Sequence, residues 1–333
     1  MEKINQIDWE LINSLLPGYS KVLSLKYIRG LTNYNFLLRT DSFFVFYKLL
    51  NTSFGEFIDR KLEAFIIQRI KHFPKIYYLD EKTCIRDFFE NARPIHFKEL
   101  AGDFGHSLIQ SLLTLHEIGR EYPESRKPKL ISILSEKTFF ESIRKYVADT
   151  KPDHSPEYYQ IIEQFEKCCS TLLAFCKQYE HHSFLCHNDL TLENMLILKK
   201  TEADDEFLLL DYEYADFNIV FYEFANLFME MEVEYTQGPP FFIFNKQAPE
   251  IREVEEKIAE HYLSTAEGQL LNLNTDEFLA ICDKFKVFSH MFWVTVAIKS
   301  LDLNIPFDFH KYILCRFKAF NDEFDKHFGQ SHN

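Results

Sequence analysis

No run in the 333 residues approaches the roughly 18 apolar residues that a membrane helix requires, so no integral membrane segment is expected. The N-terminus, Met1 to Gln6, has neither a basic head nor an apolar stretch, and no secretory leader is expected. The seven cysteines (Cys84, Cys168, Cys169, Cys176, Cys186, Cys282 and Cys315) are odd in number and contain no CxxC pair. That pattern excludes a disulfide framework and a cysteine zinc site, and fits reduced, mostly buried thiols in a cytoplasmic protein. Positive charge is in deficit: 37 Lys and Arg face 51 Asp and Glu, a net charge of −14. Such a chain is a poor general binder of nucleic acid or anionic membrane, and any site for a phosphate must concentrate a few local cations. Repeats and low-complexity tracts are absent. What is present is core material, 46% hydrophobic residues with 35 Phe, enough for two modest domains or one bilobal fold.

The apolar pattern divides the chain into a smaller strand-rich part and a larger helical part. Residues 3–16 have helical spacing and stop at Pro17-Gly18. Strands are predicted over Val22–Ile28, Tyr34–Arg39 and Phe43–Leu50, with Gly30-Leu31-Thr32-Asn33 as the turn between the first two. A helix over 56–72 and strands over Lys75–Leu79 and Thr83–Phe89 follow, and Asn91-Ala92-Arg93-Pro94 breaks the pattern. The boundary is placed there, giving an N-terminal lobe over 1–92 and a C-terminal lobe over 93–333. Helices are expected at about 97–119, 136–148, 156–181, 218–234, 249–264, 275–301 and 308–328.

The most informative stretch is His187-Asn188-Asp189 with Asn194, followed seventeen residues later by Asp211. An apolar segment leads into it, and strands over Met195–Leu198 and Phe207–Leu210 form a hairpin that would aim all three side chains at one cleft. A carboxylate there can accept a proton from a bound alcohol. Asn and Asp oxygens are hard ligands suited to Mg²⁺. Phosphoryl transfer in kinase-type sites uses this set of parts.

His187-Asn188-Asp189, Asn194 and Asp211-Tyr212-Glu213-Tyr214-Ala215, with Asn218, Glu223, Phe224, Asn226 and Glu230 in matching spacing, resemble the choline/ethanolamine kinase family. The similarity runs from about residue 22 to about 322 and is strongest over 184–235; Glu223 stands where the family usually has Asp. The resemblance implies an α+β, bilobal, protein-kinase-like fold, with a small antiparallel-sheet N-lobe that binds ATP and a mainly helical C-lobe for catalysis and acceptor binding. It implies Asp189 as catalytic base and Asn194 and Asp211 as Mg²⁺ ligands, with Glu213 reaching metal or substrate or standing behind them. Gly30, Thr32 and Asn33 resemble the phosphate loop, although the loop has a single Gly. Lys48, at a position where the family commonly has Arg, would hold the α and β phosphates and be braced by Glu63. Asp87-Phe88-Phe89 falls where such folds join their lobes, which places Asp87 and Phe89 beside the base.

A quaternary ammonium has no hydrogen to donate and is best held by aromatic faces and nearby carboxylates. The residues that match the family's aromatic cage are Tyr235, Trp293 and Tyr312, and Glu230 would add negative charge. Val296 departs from the pattern, since a second Trp is usual there; Phe292 or Phe309 could compensate. A primary ammonium wants carboxylates more than rings, so the run Glu230, Glu232, Glu234 keeps ethanolamine open, although Glu232 and Glu234 read more simply as a solvated face. The expected activity is therefore ATP- and Mg²⁺-dependent phosphorylation of a small amino alcohol, choline first and ethanolamine second, feeding phospholipid head-group synthesis. Another small-alcohol kinase of the aminoglycoside-phosphotransferase group, or a binding protein that keeps the fold without the chemistry, stands as an alternative. A homodimer is compatible with this reading.

Overall fold

A computed structural model of the chain describes residues 7–16, 18, 21–28, 33–50, 54–71, 74–150, 155–199, 205–236, 238–244, 249–303 and 305–329. Helix α1 (Trp9–Leu15) is capped by the Asp8 side chain, which accepts from the Leu11 N–H. It is followed by strands β1 (Val22–Ile28), β2 (Tyr34–Thr40) and β3 (Phe44–Leu49). Helix α2 (Arg60–Ile67) separates them from β4 (Ile76–Leu79) and β5 (Thr83–Asp87). The five strands form one antiparallel sheet in the order β1-β2-β3-β5-β4. Strand alternation puts Phe36, Leu38, Val45, Tyr47 and Ile85 on one face, where they bury Ile12 and Leu16 of the α1 region in a small separate core. The opposite face carries Asn35, Leu37, Phe46, Lys48 and Arg86, and lines a cleft.

The larger part begins with β6 (Ala92–Pro94) and α3 (Asp103–Glu121). Helices α4 (Lys129–Ser135), α5 (Lys137–Thr150) and α6 (Ser155–Gln178) lead to β7 (Ser183–Cys186), then β8 (Met195–Lys199) and β9 (Asp205–Leu209). Next come β10 (Asp216–Ile219), α7 (Val220–Met231), β11 (Val233–Tyr235) and β12 (Phe242–Phe244). The chain closes with α8 (Pro249–Leu263), α9 (Ala266–Gln269), α10 (Thr275–Lys299) and α11 (Phe309–Phe328). The α+β, two-part architecture is as expected. Among the described residues no helix is long and apolar enough to cross a membrane.

Several local expectations are corrected. The predicted helix over 56–72 is confined to α2, because Asp59 caps its first turn by accepting from the Lys61 and Leu62 N–H groups. The predicted helix over 218–234 is a strand, a helix and a strand, since β10 pairs with β7 and β11 with β12. Helix α4 follows Pro128 and was not anticipated.

Ala92 already pairs with Leu198, and Pro94 with Leu196, so β6 joins the β8–β9 hairpin. Helix α2 is also assigned differently from its place in sequence. Phe54, Phe57, Leu62 and Ile66 belong to the large helical core and not to the core of the sheet. Arg126, in the connection between α3 and α4, fixes the start of α2 by donating to Asp59 at 2.6 Å.

Helix α3 crosses β7 at Gly119, where a Cβ would lie 2.6 Å from the Leu185 Cβ. Overpacking of this kind costs ~1–3 kcal/mol, against up to ~1 kcal/mol of helix propensity gained by replacing glycine. Gly119→Ala is therefore expected to lower the urea midpoint, and an unchanged midpoint would show that β7 can withdraw without loss.

Candidate active site

Helix α7 is buried along its whole length, apolar residues and three polar ones alike. Polar groups in such a place are costly unless they are hydrogen-bonded, and among the described residues only Asn226 Nδ2 and the Tyr222 hydroxyl of this helix are left without a partner. Glu223, Asn226 and Glu230, spaced at three and four residues, share a helix face. Each holds one part of the cleft described below.

Glu223 holds the loop that carries Asp189. Its carboxylate accepts from the backbone N–H groups of His187 (2.5 Å) and Asn188 (3.2 Å). Asn188 has a left-handed backbone, φ 63°, and its side chain donates to the Tyr214 and Asp216 carbonyls, both at 3.1 Å, while accepting from Asn218. Nε2 of His187 lies 2.8 Å from the Leu210 carbonyl and must carry a hydrogen there, so Nδ1 is free to accept the Asp189 N–H at 3.3 Å. Burial lowers the His187 pKa to about 4, so the ring is a neutral strut between the two halves of the motif.

Asp189 projects from this loop into a cleft of about 780 Å³. Asn194 donates from Nδ2 to the Asp189 carbonyl (2.9 Å) and to Oδ2 (3.0 Å), which leaves Oδ1 without a hydrogen bond. Burial first, and then the negative charges of Asp211, Glu230 and Glu213, raise the Asp189 pKa well above the ordinary carboxylate range. Asp211 behaves oppositely. Burial would raise it too, but Lys48 reverses the shift and keeps it ionised.

Lys48 lies 2.7 Å from Asp211 Oδ1 and 3.2 Å from Glu213 Oε2. The expected partner, Glu63, instead pairs with Arg60 at 2.6 Å, and Arg60 also reaches Glu213 at 3.2 Å. The correction has an electrostatic cause: Asp211 and Glu213 place two carboxylates within reach of one ammonium, and Arg60, three residues before Glu63 on α2, is nearer to it. Burial alone would lower the Lys48 pKa, but Asp211, Glu213 and Glu63 together raise it. Glu213 is the centre of this network, since both of its oxygens also accept from Asn33 Nδ2, at 2.8 and 3.0 Å.

The far end of the cleft is aromatic. Trp293, Tyr312, Tyr235, Tyr214 and Phe241 line it, with Glu230 and Pro306. Asn226 fixes Trp293 by accepting from Nε1 at 2.7 Å. Glu230 accepts from the Tyr235 hydroxyl at 3.0 Å and forms a buried ion pair with Arg316. The Arg316 guanidinium lies 5.1 Å from the Tyr312 ring centroid. The sequence reading missed Arg316, although it follows Tyr312 by four residues and so shares its helix face.

Other expected residues are dispersed. Gly30 and Thr32 lie outside the described residues, and Asn33 is engaged as above. Phe89 lines the cleft beside Phe88, but the Asp87 carboxylate is turned to the Tyr77 hydroxyl and does not line it. Val296 is buried and does not contribute to the cleft wall, and neither do Phe292 and Phe309, the suggested compensating rings. Glu232 pairs with Lys286 at 3.7 Å and Glu234 is exposed, so of the acidic run only Glu230 faces the cleft.

A sequence model of the choline/ethanolamine kinase family matches residues 29–321. A probable choline kinase of Arabidopsis thaliana is 26% identical over 256 residues, 71% of either chain. A choline kinase from Cryptosporidium parvum superposes with a TM-score of 0.66 at 20% identity, covering 95% of this chain and 94% of that one. An ethanolamine kinase of Plasmodium vivax gives a TM-score of 0.68 at 18% identity, covering 93% and 86%.

Burial raises the Glu223 pKa to about 7. A carboxyl whose pKa rises on folding favours the folded state while protonated, and that contribution is lost as pH rises from the unfolded value, about 4.5, through about 7. Relative to Glu223→Gln, the parent protein should therefore lose stability over that window. Parallel pH profiles of the two proteins in denaturant melts would contradict this.

Proposed function

The chain belongs to the choline/ethanolamine kinase family, and from that premise we propose that it transfers the γ-phosphoryl group of ATP to the hydroxyl of choline, giving phosphocholine for phospholipid head-group synthesis. In this reading the sheet and cleft-facing residues before position 93 form the nucleotide lobe, and the remainder forms the catalytic and acceptor lobe. The free cysteines among the described residues, most of them buried, support a reducing, cytoplasmic setting.

Asp189 acts as the base. One of its oxygens is held by Asn194, and the other is left to accept the hydroxyl proton. Its raised pKa suits it to that proton better than an ordinary carboxylate would be. A cationic acceptor bound nearby would pull the pKa back down, so that the base ionises when its substrate arrives. Lys48 holds the α and β phosphates on one wall, with Glu213 behind it and Arg60 pairing Glu213 in turn.

The donor set fits a hard divalent cation. Asp211 is kept ionised, and Asn194 spends its amide nitrogen on Asp189 and keeps its carbonyl oxygen. Mg²⁺ held by these two residues would offset the charge of the β and γ phosphates. The transition state for such a transfer is loose, so positioning and charge are what the protein contributes.

The observation that carries choline over ethanolamine is the pairing of Glu230 with Arg316 and Tyr235. It neutralises the carboxylate that a primary ammonium would use, and leaves ring faces, which suit a quaternary one. Ethanolamine is the second reading, and a side-by-side assay under one ATP and Mg²⁺ condition separates the two; equal or higher kcat/KM for ethanolamine would overturn the choline assignment.

Asp189→Ala is expected to lower kcat by about a thousandfold or more, consistent with loss of a positioned general base, while circular dichroism remains that of the parent; residual turnover within tenfold of the parent would remove Asp189 from the role. Tyr312→Leu should lower kcat/KM for choline by roughly tenfold, the scale of one desolvated cation–π contact, and change the ethanolamine value less. An equal loss for both acceptors would count against a ring-lined ammonium site.

A further inference from the structure

Arg86 lies on the cleft-facing side of β5 and has no role in the chemistry above. Its surroundings are unusual for a structural arginine. Among the described residues no carboxylate comes within ion-pair distance of it, and Asp87, next in the chain, gives its carboxylate to Tyr77. The protein contacts of the guanidinium are the Phe46 ring, at 4.2 Å from the centroid, and the Asp87 carbonyl, which accepts from Nη1 at 3.2 Å. Burial without a paired carboxylate pulls its pKa down. A guanidinium kept this way retains unspent donors on a surface that faces the cleft.

Its position along the cleft follows from strand register. Lys48 pairs with Cys84, and Phe46 pairs with Arg86. Arg86 therefore sits two residues beyond the level of Lys48, a step of about 7 Å along the strand, in the direction of the Phe88-Phe89 connection. Leu37 and Phe46 lie beside Arg86 in the sheet register, and with Phe88, Pro94, Leu196 and Leu210, which line the same cleft, they supply apolar walls for a flat ring. With phosphates at Lys48, the flat base fits against these walls.

An arginine presents only donors, in a planar fork. The O6 and N7 edge of guanine offers two acceptors to that fork, whereas adenine offers N7 beside an amino group that is itself a donor. We propose that Arg86 reads the 6-position of the purine, and that the chain accepts a 6-oxopurine nucleoside triphosphate, GTP, at least as readily as ATP. This rests on the kinase reading of the cleft and concerns its nucleotide end alone.

The test is calorimetric binding of GDP, IDP and ADP to the full chain with Mg²⁺ and without an amino alcohol, followed by kcat/KM for GTP and ATP at saturating choline. GDP and IDP, which share the 6-oxo group, should bind at least as tightly as ADP. Arg86→Met should shift the GDP-to-ADP affinity ratio by roughly tenfold or more toward ADP, the discrimination expected of a bidentate arginine contact. Arg86→Lys, which keeps the charge and loses the fork, should shift it in the same direction. A parent protein that prefers ADP, with a ratio unchanged in both variants, overturns the proposal. Equal weakening of GDP and ADP overturns it as well, because it marks a phosphate contact. Absence of binding by any of the three nucleotides would overturn this proposal together with the kinase reading, whereas nucleotide binding without choline turnover would count against the acceptor assignment only.

Discussion

A helix buried on every side is destabilised by each polar group it leaves unpaired, and that constraint on the carboxylates of α7 organises the rest of the cleft. An unsatisfied buried polar group costs on the order of 1–3 kcal/mol, and more if it is charged. Glu223 and Glu230 through their carboxylates, and Asn226 through Oδ1 alone, grip something that has to be placed: a loop, a tyrosine with an arginine, and an indole ring. The three grips are spaced along one helix face, so the loop bearing Asp189 and the ring-lined end of the cleft are set at a fixed separation by one rigid element.

Glu213 plays the corresponding part on the other side. It is almost wholly buried and touches Asn33 just before β2, Lys48 from β3 and Arg60 from α2. A buried carboxylate is tolerated only when its surroundings over-determine it with charge and hydrogen bonds, and three donors from separate elements do so. The positive charge that a chain of net charge −14 needs for an anionic ligand is thereby gathered at one point.

Much of the site was legible in sequence because it is local. His187, Asp189, Asn194 and Asp211 lie within one loop-and-hairpin unit, and residue spacing within such a unit translates directly into geometry. The β-strands of the sheet were legible from alternation, and the long helices α8, α10 and α11 from apolar period. What escaped depends on partners distant in the chain. Nothing near Lys48 in sequence says that it will meet Asp211 and not Glu63, because 163 residues separate that pair. The α7 region read as one long helix because its flanking strands are only four and three residues long, and their pairing with β7 and β12 is a tertiary fact. Arg316 carried a signal, its four-residue offset from Tyr312, but a buried guanidinium becomes visible only when Glu230 is found opposite. Val296 shows the converse error: a position judged by resemblance to face the cleft lies in the core.

The assignment of α2 to the helical core, and not to the sheet beside it in sequence, divides the Glu213 network mechanically. Arg60 and Glu63 travel with the helical body, as Glu213 does, whereas Asn33 and Lys48 are carried by the sheet. Any tilt of the sheet about its connection to the helices would load the Asn33 and Lys48 links and leave the Arg60 links slack. Glu213 is thus the point where links from the sheet and links from the helical body meet.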